Sequence, residues 1–203
     1  MDYSAAVQGI WRHHALGDAA RDYVSLVRYA TLAASSHNTQ PWKFKVERGR
    51  ILILPDLSRH CPAVDPDDHH LYASLGCATE NLLLAAQAAG LRGHVSYDAS
   101  TSGVQVDLEE AIPFRSSLFE ALPRRQCSRA EYDGTELSGE QLRLFEEVAQ
   151  GSGVSLMLLT AREQKEQVAE YVAAGNTAQF GDAHWAEELK TLIRFNARDA
   201  VRT

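Results

Sequence analysis

The sequence predicts an α+β fold in which a mixed or antiparallel sheet is flanked by helices. Stretches with apolar residues three and four positions apart, as in helices, alternate with short apolar runs of the kind that form strands. A glycine-containing turn joins two of these runs, which is typical of a hairpin. The chain has 203 residues, 45% of them hydrophobic, so it can bury a sizeable core.

The first elements are a helix and a hairpin. One apolar stripe runs along residues 22–34, which predicts an amphipathic helix. The runs 44–46 and 51–54 are short and apolar, and residues 47–50 between them contain Gly49. We therefore expect a helix, a loop and then two antiparallel strands at the edge of a sheet.

A long central helix and two more strands follow. Asp65 and Pro66 have the pattern of an N-cap with proline at the first helical position, and Gly90 ends the apolar run after them. This helix is apolar over much of its surface, which places it in the middle of the fold. Residues 94–97 and 104–108 predict the two further strands. Asp56, Arg59 and Asp65 are expected to tie down the segment between hairpin and helix, and Arg59 could also contact a ligand.

The second half starts again with a helix at Ser116. Ser138 and Gln141 form a capping-box pattern that opens another amphipathic helix. A strand is predicted over residues 154–159, and two polar helices follow it.

Charge and cysteine content exclude several classes of protein. The chain carries 20 Lys and Arg against 27 Asp and Glu, a formal charge of -7, which argues against a nucleic-acid partner. The three cysteines fit neither a disulfide framework nor a zinc site. With no apparent signal peptide or membrane span, we expect a soluble protein of the reducing cytoplasm.

The most informative stretch is the polar loop, residues 35–42, between the first helix and the first strand. It offers hydroxyl, carboxamide and imidazole groups suited to the edge of a flat heterocycle. These groups belong to Ser35, Ser36, Asn38, Gln40 and His37. The alternative is a helix cap followed by a turn, in which these residue types are also common.

A second motif, the basic motif of residues 125–129, is suited to phosphate. Arg125 and Arg129 are four positions apart, so on a helical turn they would share one face and could seat one phosphate together. The alternative is a solvated basic patch. The run Asp67, Asp68, His69, His70 is better explained as a helix start than as a metal site, so no metal is expected.

The polar loop resembles the Ser-x-x-Asn-x-Gln-Pro-Trp signature of the nitroreductase superfamily, most closely its Acg-like branch of FMN-binding oxidoreductases. The resemblance implies a nitroreductase-like fold and FMN as cofactor, with the loop lining the flavin ring. It also implies that Arg125, Cys127 and Arg129 hold the phosphate. Cys127 stands where the family usually has serine, so Ser128 could supply the hydroxyl. Arg129 would lie near the pyrimidine end of the ring.

The resemblance further implies two units, residues 1–113 and the start of a second unit over 114–203. Nitroreductases are usually homodimers with flavin at the subunit interface, and Acg-like chains fuse the two units, so a pseudo-dimer or a homodimer is expected. The segments that cover the flavin in the family have no counterpart here. The chain therefore looks truncated at its C-terminus, and weak or no flavin binding by these 203 residues is expected.

The implied reaction is hydride transfer from NAD(P)H through the flavin to a nitroaromatic, a quinone or a similar small acceptor. The cofactor carries that chemistry, so no dedicated catalytic acid or base is expected. The alternatives are a flavin-binding or flavin-storage protein without turnover, and a structural remnant that binds nothing.

Overall fold

The computed structural model describes residues 2–16, 23–128, 130–149 and 153–202. The chain divides into two compact units. The first unit comprises Met1–Gln126 and His184–Thr203, and the second comprises Cys127–Ala183. This division reflects contacts within the chain. The expected division into two related units after residue 113 rests on the resemblance to a family and not on contacts within the chain. It stays a prediction.

The first unit contains a four-stranded antiparallel sheet with strand order β1-β2-β4-β3. Its strands are β1 (Trp42–Glu47), β2 (Arg50–Pro55), β3 (Leu91–Asp98) and β4 (Gly103–Glu110). Both predicted strand pairs are confirmed and are longer than the sequence indicated. The α+β class with an antiparallel sheet flanked by helices is therefore confirmed, and it is compatible with a nitroreductase-like fold.

Helices precede, interrupt and follow the strands. They are α1 (Tyr3–Ile10), α2 (Val24–Ala30), α3 (His69–Ala88), α4 (Ser117–Ala121), α5 (Gly139–Val148), α6 (Arg162–Gly181), α7 (Ala183–Leu192) and α8 (Ala197–Arg202). The sequence pattern did not predict α1. In the part of the chain that the structure describes, no helix is both long and apolar enough to cross a bilayer.

The core of the first unit forms where α3 packs between the sheet and α2. Ile51, Ile53 and Val106 point to this side of the sheet and are completely buried. Leu75 and Leu82 of α3 are also completely buried. Burying one such side chain contributes about 1.5–3 kcal/mol, so this layer dominates the stability of the unit.

Helix α2 is shorter than predicted. It ends at Ala30, because the N–H groups of Leu32 and Ala33 bond to carbonyls three residues back, at distances of 3.1 Å each. This tighter turn closes the helix before the predicted end at residue 34. Residue 22, the predicted start, lies outside the described residues.

Helix α3 begins at His69, so the predicted start beside Asp65 was wrong. Asp68 is the N-cap residue, with a left-handed backbone (φ 56°) and no capping bond from its side chain. The carboxylate of Asp65 takes that role from outside the helix. It accepts the backbone N–H groups of His70 and Leu71, each at 2.9 Å, and only 4% of Asp65 is exposed.

The segment before α3 is also held by α7. The carboxylate of Glu188 accepts the backbone N–H groups of Ala63 at 3.0 Å and Val64 at 3.1 Å. Trp185 on the same helix is 7% exposed. The carboxylate of Glu188 and the buried indole ring of Trp185 therefore fix helix α7 within the first unit.

The second unit contains α5 and α6. The predicted capping box is confirmed, because Ser138 Oγ accepts the N–H of Gln141 at 3.2 Å and Gln141 Oε1 accepts the N–H of Ser138 at 2.8 Å. The predicted strand over residues 154–159 was wrong. Val154 forms an isolated bridge, and residues 155–160 have no regular structure. Within the described residues of this unit, no side chain is buried.

Replacing Asp65 by asparagine tests the external cap. Burial opposes ionisation of Asp65, but the N–H donors of His70 and Leu71 outweigh it, so the pKa of Asp65 lies below its ordinary value of 3.8. At neutral pH, Asp65→Asn should lower the free energy of unfolding by about 1–3 kcal/mol, because buried N–H groups lose a charged acceptor.

The loss of stability caused by Asp65→Asn should be larger at neutral pH than at acidic pH. A lowered pKa gives stability that is complete well above 3.8 and is lost as the pH falls through the folded-state pKa. The difference between wild type and Asp65→Asn should therefore shrink on acidification, as measured by urea unfolding. Exposed Asp67 is the control, and Asp67→Asn should change stability by less than about 0.5 kcal/mol. Equal effects of the two substitutions would contradict the cap.

Candidate functional site

The polar loop has an unusual backbone. His37, Asn38 and Gln40 adopt left-handed φ angles of 48°, 56° and 51°. Such angles cost non-glycine residues roughly 1–2 kcal/mol each, although asparagine tolerates them better. Several left-handed residues so close together persist only where surrounding contacts fix the chain, and such strain is common at functional sites.

Hydrogen bonds within the loop and to neighbouring segments fix this backbone. Ser35 Oγ accepts the N–H of Gln40 at 3.0 Å, and Thr39 Oγ1 donates to the carbonyl of Ser36 at 3.0 Å. Arg59 Nη1 donates to the carbonyl of Thr39 at 3.0 Å. The expectation that Arg59 helps to tie down its segment is therefore confirmed.

The side chains of the loop differ in what they can offer a ligand. His37 and Asn38 are exposed, whereas Ser35, Ser36 and Gln40 are partly buried. Ser35 already uses an oxygen lone pair inside the loop. The structure thus places all five predicted loop residues in one turn. The imidazole of His37 and the carboxamide of Asn38 are its most accessible polar groups.

The basic motif does not start as a helical turn. Arg125 has an extended backbone (φ -66°, ψ 130°) after a short 3₁₀ turn over Leu122–Arg124, and residues 125–128 have no helical structure. The shared helical face expected from the spacing is therefore not formed at this end. Arg129 lies outside the described residues. Cys127 and Ser128 are exposed and belong to the second unit.

Arg125 belongs to the first unit, where its guanidinium makes contacts that the sequence did not predict. Nη2 donates to the carbonyl of Leu32 at 3.2 Å. The central guanidinium carbon lies 5.4 Å from the ring centroid of Trp11. Since Leu32 lies just before the polar loop, the first arginine of the basic motif is fixed to the segment that enters the loop. No local sequence signal connects residues so far apart.

A pocket lies behind the polar loop. Its empty space of about 190 Å³ includes volume open to solvent, so the enclosed part is too small to hold a flavin on its own. Burial raises the pKa of the Cys61 thiol in its wall, with further contributions from Glu188 and Asp65, so this thiol stays protonated. The lining residues are Ser36, Thr39, Pro41, Arg59, His60, Cys61, Asp65 and Leu71.

Two histidines at or before the start of α3 pair with aspartates. His70 Nδ1 lies 3.1 Å from Asp65 Oδ1, and His60 Nδ1 lies 3.5 Å from Asp68 Oδ1. Among the residues that the structure describes, no group of three or more His, Cys, Asp and Glu side chains could hold a metal ion.

The donor set of the first unit fits FMN chemically. A guanidinium, the preferred partner of a phosphate, is held at the entrance of the polar loop. Exposed imidazole and carboxamide groups in that loop can bond the edge of a heteroaromatic ring.

Comparison with known proteins gives a distant similarity. No family model matches the chain. Two curated proteins of Mycobacterium tuberculosis, from strains CDC 1551 / Oshkosh and ATCC 25618 / H37Rv, are each 25% identical to it over 152 residues. Both bear the name "Putative NAD(P)H nitroreductase". The match covers 71% of this chain and 44% of each relative, so the chain spans less than half of their length.

The left-handed backbone at His37 can be tested by substitution. Glycine adopts this backbone without steric cost, so His37→Gly should change the free energy of unfolding by less than about 1 kcal/mol. A β-branched residue does not adopt it readily, so His37→Val should lower that free energy by about 1–2 kcal/mol.

Glu80, exposed in the middle of α3, provides the matched control. There the order should reverse, with Glu80→Gly more destabilising than Glu80→Val. Thermal and urea unfolding measure the change in the free energy of unfolding for the two variants at each position. The same order at the two positions would show that the loop does not impose a left-handed angle on His37.

Proposed function

We propose that this chain is an FMN-dependent oxidoreductase of the nitroreductase type, of the Acg-like branch, which passes hydride from NAD(P)H to a small acceptor such as a nitroaromatic or a quinone. The observation that carries the proposal is the bond from Arg125 to the Leu32 carbonyl, which holds a guanidinium, a group suited to phosphate, near a strained polar loop. The similarity to two proteins named as NAD(P)H nitroreductases supports a nitroreductase-type oxidoreductase.

Within this proposal, the two motifs have separate tasks. When bound, FMN supplies the hydride-accepting and hydride-donating chemistry. The polar loop orients the ring through Ser35, Ser36, His37, Asn38 and Gln40. The phosphate is held by Arg125 and Arg129, with Ser128 or Cys127 as a further donor. None of these side chains is assigned a catalytic acid or base role.

Three wider features remain predictions. They are the fused second unit over residues 114–203, the pseudo-dimer or homodimer that would complete the flavin site, and the cytoplasmic location.

The phosphate role of Arg125 can be tested by comparing FMN with riboflavin, which lacks the phosphate. Arg125→Ala should weaken FMN binding by about 10-fold to 150-fold, because a charge-assisted hydrogen bond is worth about 1.5–3 kcal/mol. Riboflavin has no phosphate for Arg125 to bind, so its affinity should stay within about twofold of wild type. Quenching of flavin fluorescence on titration measures both affinities.

Arg124 offers a matched control, since it is exposed and adjacent in sequence. Arg124→Ala should leave the affinity for both flavins unchanged. Equal losses of FMN and riboflavin in Arg125→Ala would remove the phosphate role. A wild-type chain that binds neither flavin would remove the proposed function.

Turnover distinguishes an oxidoreductase from a flavin store. NADH or NADPH, mixed without oxygen with the FMN-loaded chain, should bleach the flavin absorbance near its visible maximum. A nitroaromatic or a quinone should then restore the colour. If dithionite bleaches the flavin and neither nicotinamide does, the chain stores flavin without turnover and the enzyme proposal is wrong.

A further inference from the structure

We propose that Trp11 is a positioning residue for Arg125 and thereby for the phosphate of the bound flavin. The inference rests on the proposed function, because it assigns Arg125 to the phosphate. It extends the site to the end of α1, a helix that neither motif includes.

The ring of Trp11 has a fixed place. Trp11 is the C-cap residue of α1, and its N–H donates to the carbonyl of Val7 at 2.9 Å. Its side chain is partly buried and packs against the hydrophobic core. The packing of its side chain against the core places the indole face over the guanidinium of Arg125, 5.4 Å from its central carbon. At this distance a cation is attracted by the electrons of the ring face.

A second contact restrains the same guanidinium. Its Nη2 bonds to the carbonyl of Leu32, a residue that is only 5% exposed. The backbone leading to Arg125 is also anchored, because Phe119 is completely buried and Leu122 is 7% exposed. The ring of Trp11 thus limits the plane of the guanidinium, and the Leu32 carbonyl limits its rotation.

These restraints matter because a free arginine side chain loses much rotational freedom when it binds. A guanidinium that is already held has less freedom to lose, so it binds a phosphate more tightly. Removing the indole should therefore weaken only the contact made through Arg125. Ring contacts of the polar loop should be unaffected.

The test compares three substitutions of Trp11 in the full chain. Trp11→Ala and Trp11→Leu both remove the aromatic face, and Trp11→Leu keeps more of the apolar volume. Each should weaken FMN binding about threefold to tenfold, the range expected when a long side chain must be ordered on binding, and leave riboflavin binding unchanged. Trp11→Phe should restore most of the FMN affinity.

A double-mutant cycle shows whether Trp11 acts through Arg125. In an Arg125→Ala background, Trp11→Ala should cause no further loss of FMN affinity, because its target is already absent. Thermal unfolding reports on folding, and Trp11→Leu replaces Trp11→Ala if the alanine variant is unstable.

The possible results separate the two proposals. Equal losses of FMN and riboflavin, or additive losses in the double mutant, would show that Trp11 has a general structural role and would overturn this inference. If Arg125→Ala loses FMN selectively and none of the Trp11 variants does, the inference is wrong and the proposed function stands. If the wild-type chain binds neither flavin, both are wrong.

Discussion

The first unit depends on the burial of α3 from two sides. Leu75, Ala78 and Leu82 are completely buried, and so are Ala85 and Ala86, so the apolar surface of this helix is wider than one neighbour could cover. The sheet covers one side and α2 covers another. Small residues such as alanine let the layers approach closely, and a close-packed core leaves little freedom for α2. This packing sets the position of α2, and residues 31–34 lead from its end at Ala30 to the polar loop.

The polar loop is in turn tied to α3 rather than to α2 alone. Ser74, which is 4% exposed, donates its hydroxyl to the carbonyl of His70 at 2.6 Å. The same oxygen accepts the N–H of Ser36 at 3.4 Å. With Arg59 bonded to the other side of the loop at Thr39, the strained backbone is restrained from two directions. Left-handed residues are tolerated here because these contacts offset their cost.

The sequence predicted the turns and helix starts correctly where a few neighbouring residues determine them. The hairpin at Gly49, with φ 74°, the helix beginning at Ser116 and the capping box at Ser138 agree with the structure. A strand also needs a partner, which no local pattern provides, and the predicted strand over 154–159 is absent. The contact between Trp11 and Arg125 joins distant parts of the chain, so no local pattern of residues indicated it.

The contrast between the two units bears on how phosphate affinity would be distributed over the basic motif. Arg125 is carried by the core of the first unit through Phe119 and Leu122 and is already restrained before any ligand binds. Cys127 and Ser128 are exposed and belong to a unit in which no described side chain is buried. A contact from these residues must overcome more conformational entropy, since less of their surroundings is held by packing. Among the described residues of the motif, Arg125 should therefore contribute most to phosphate affinity.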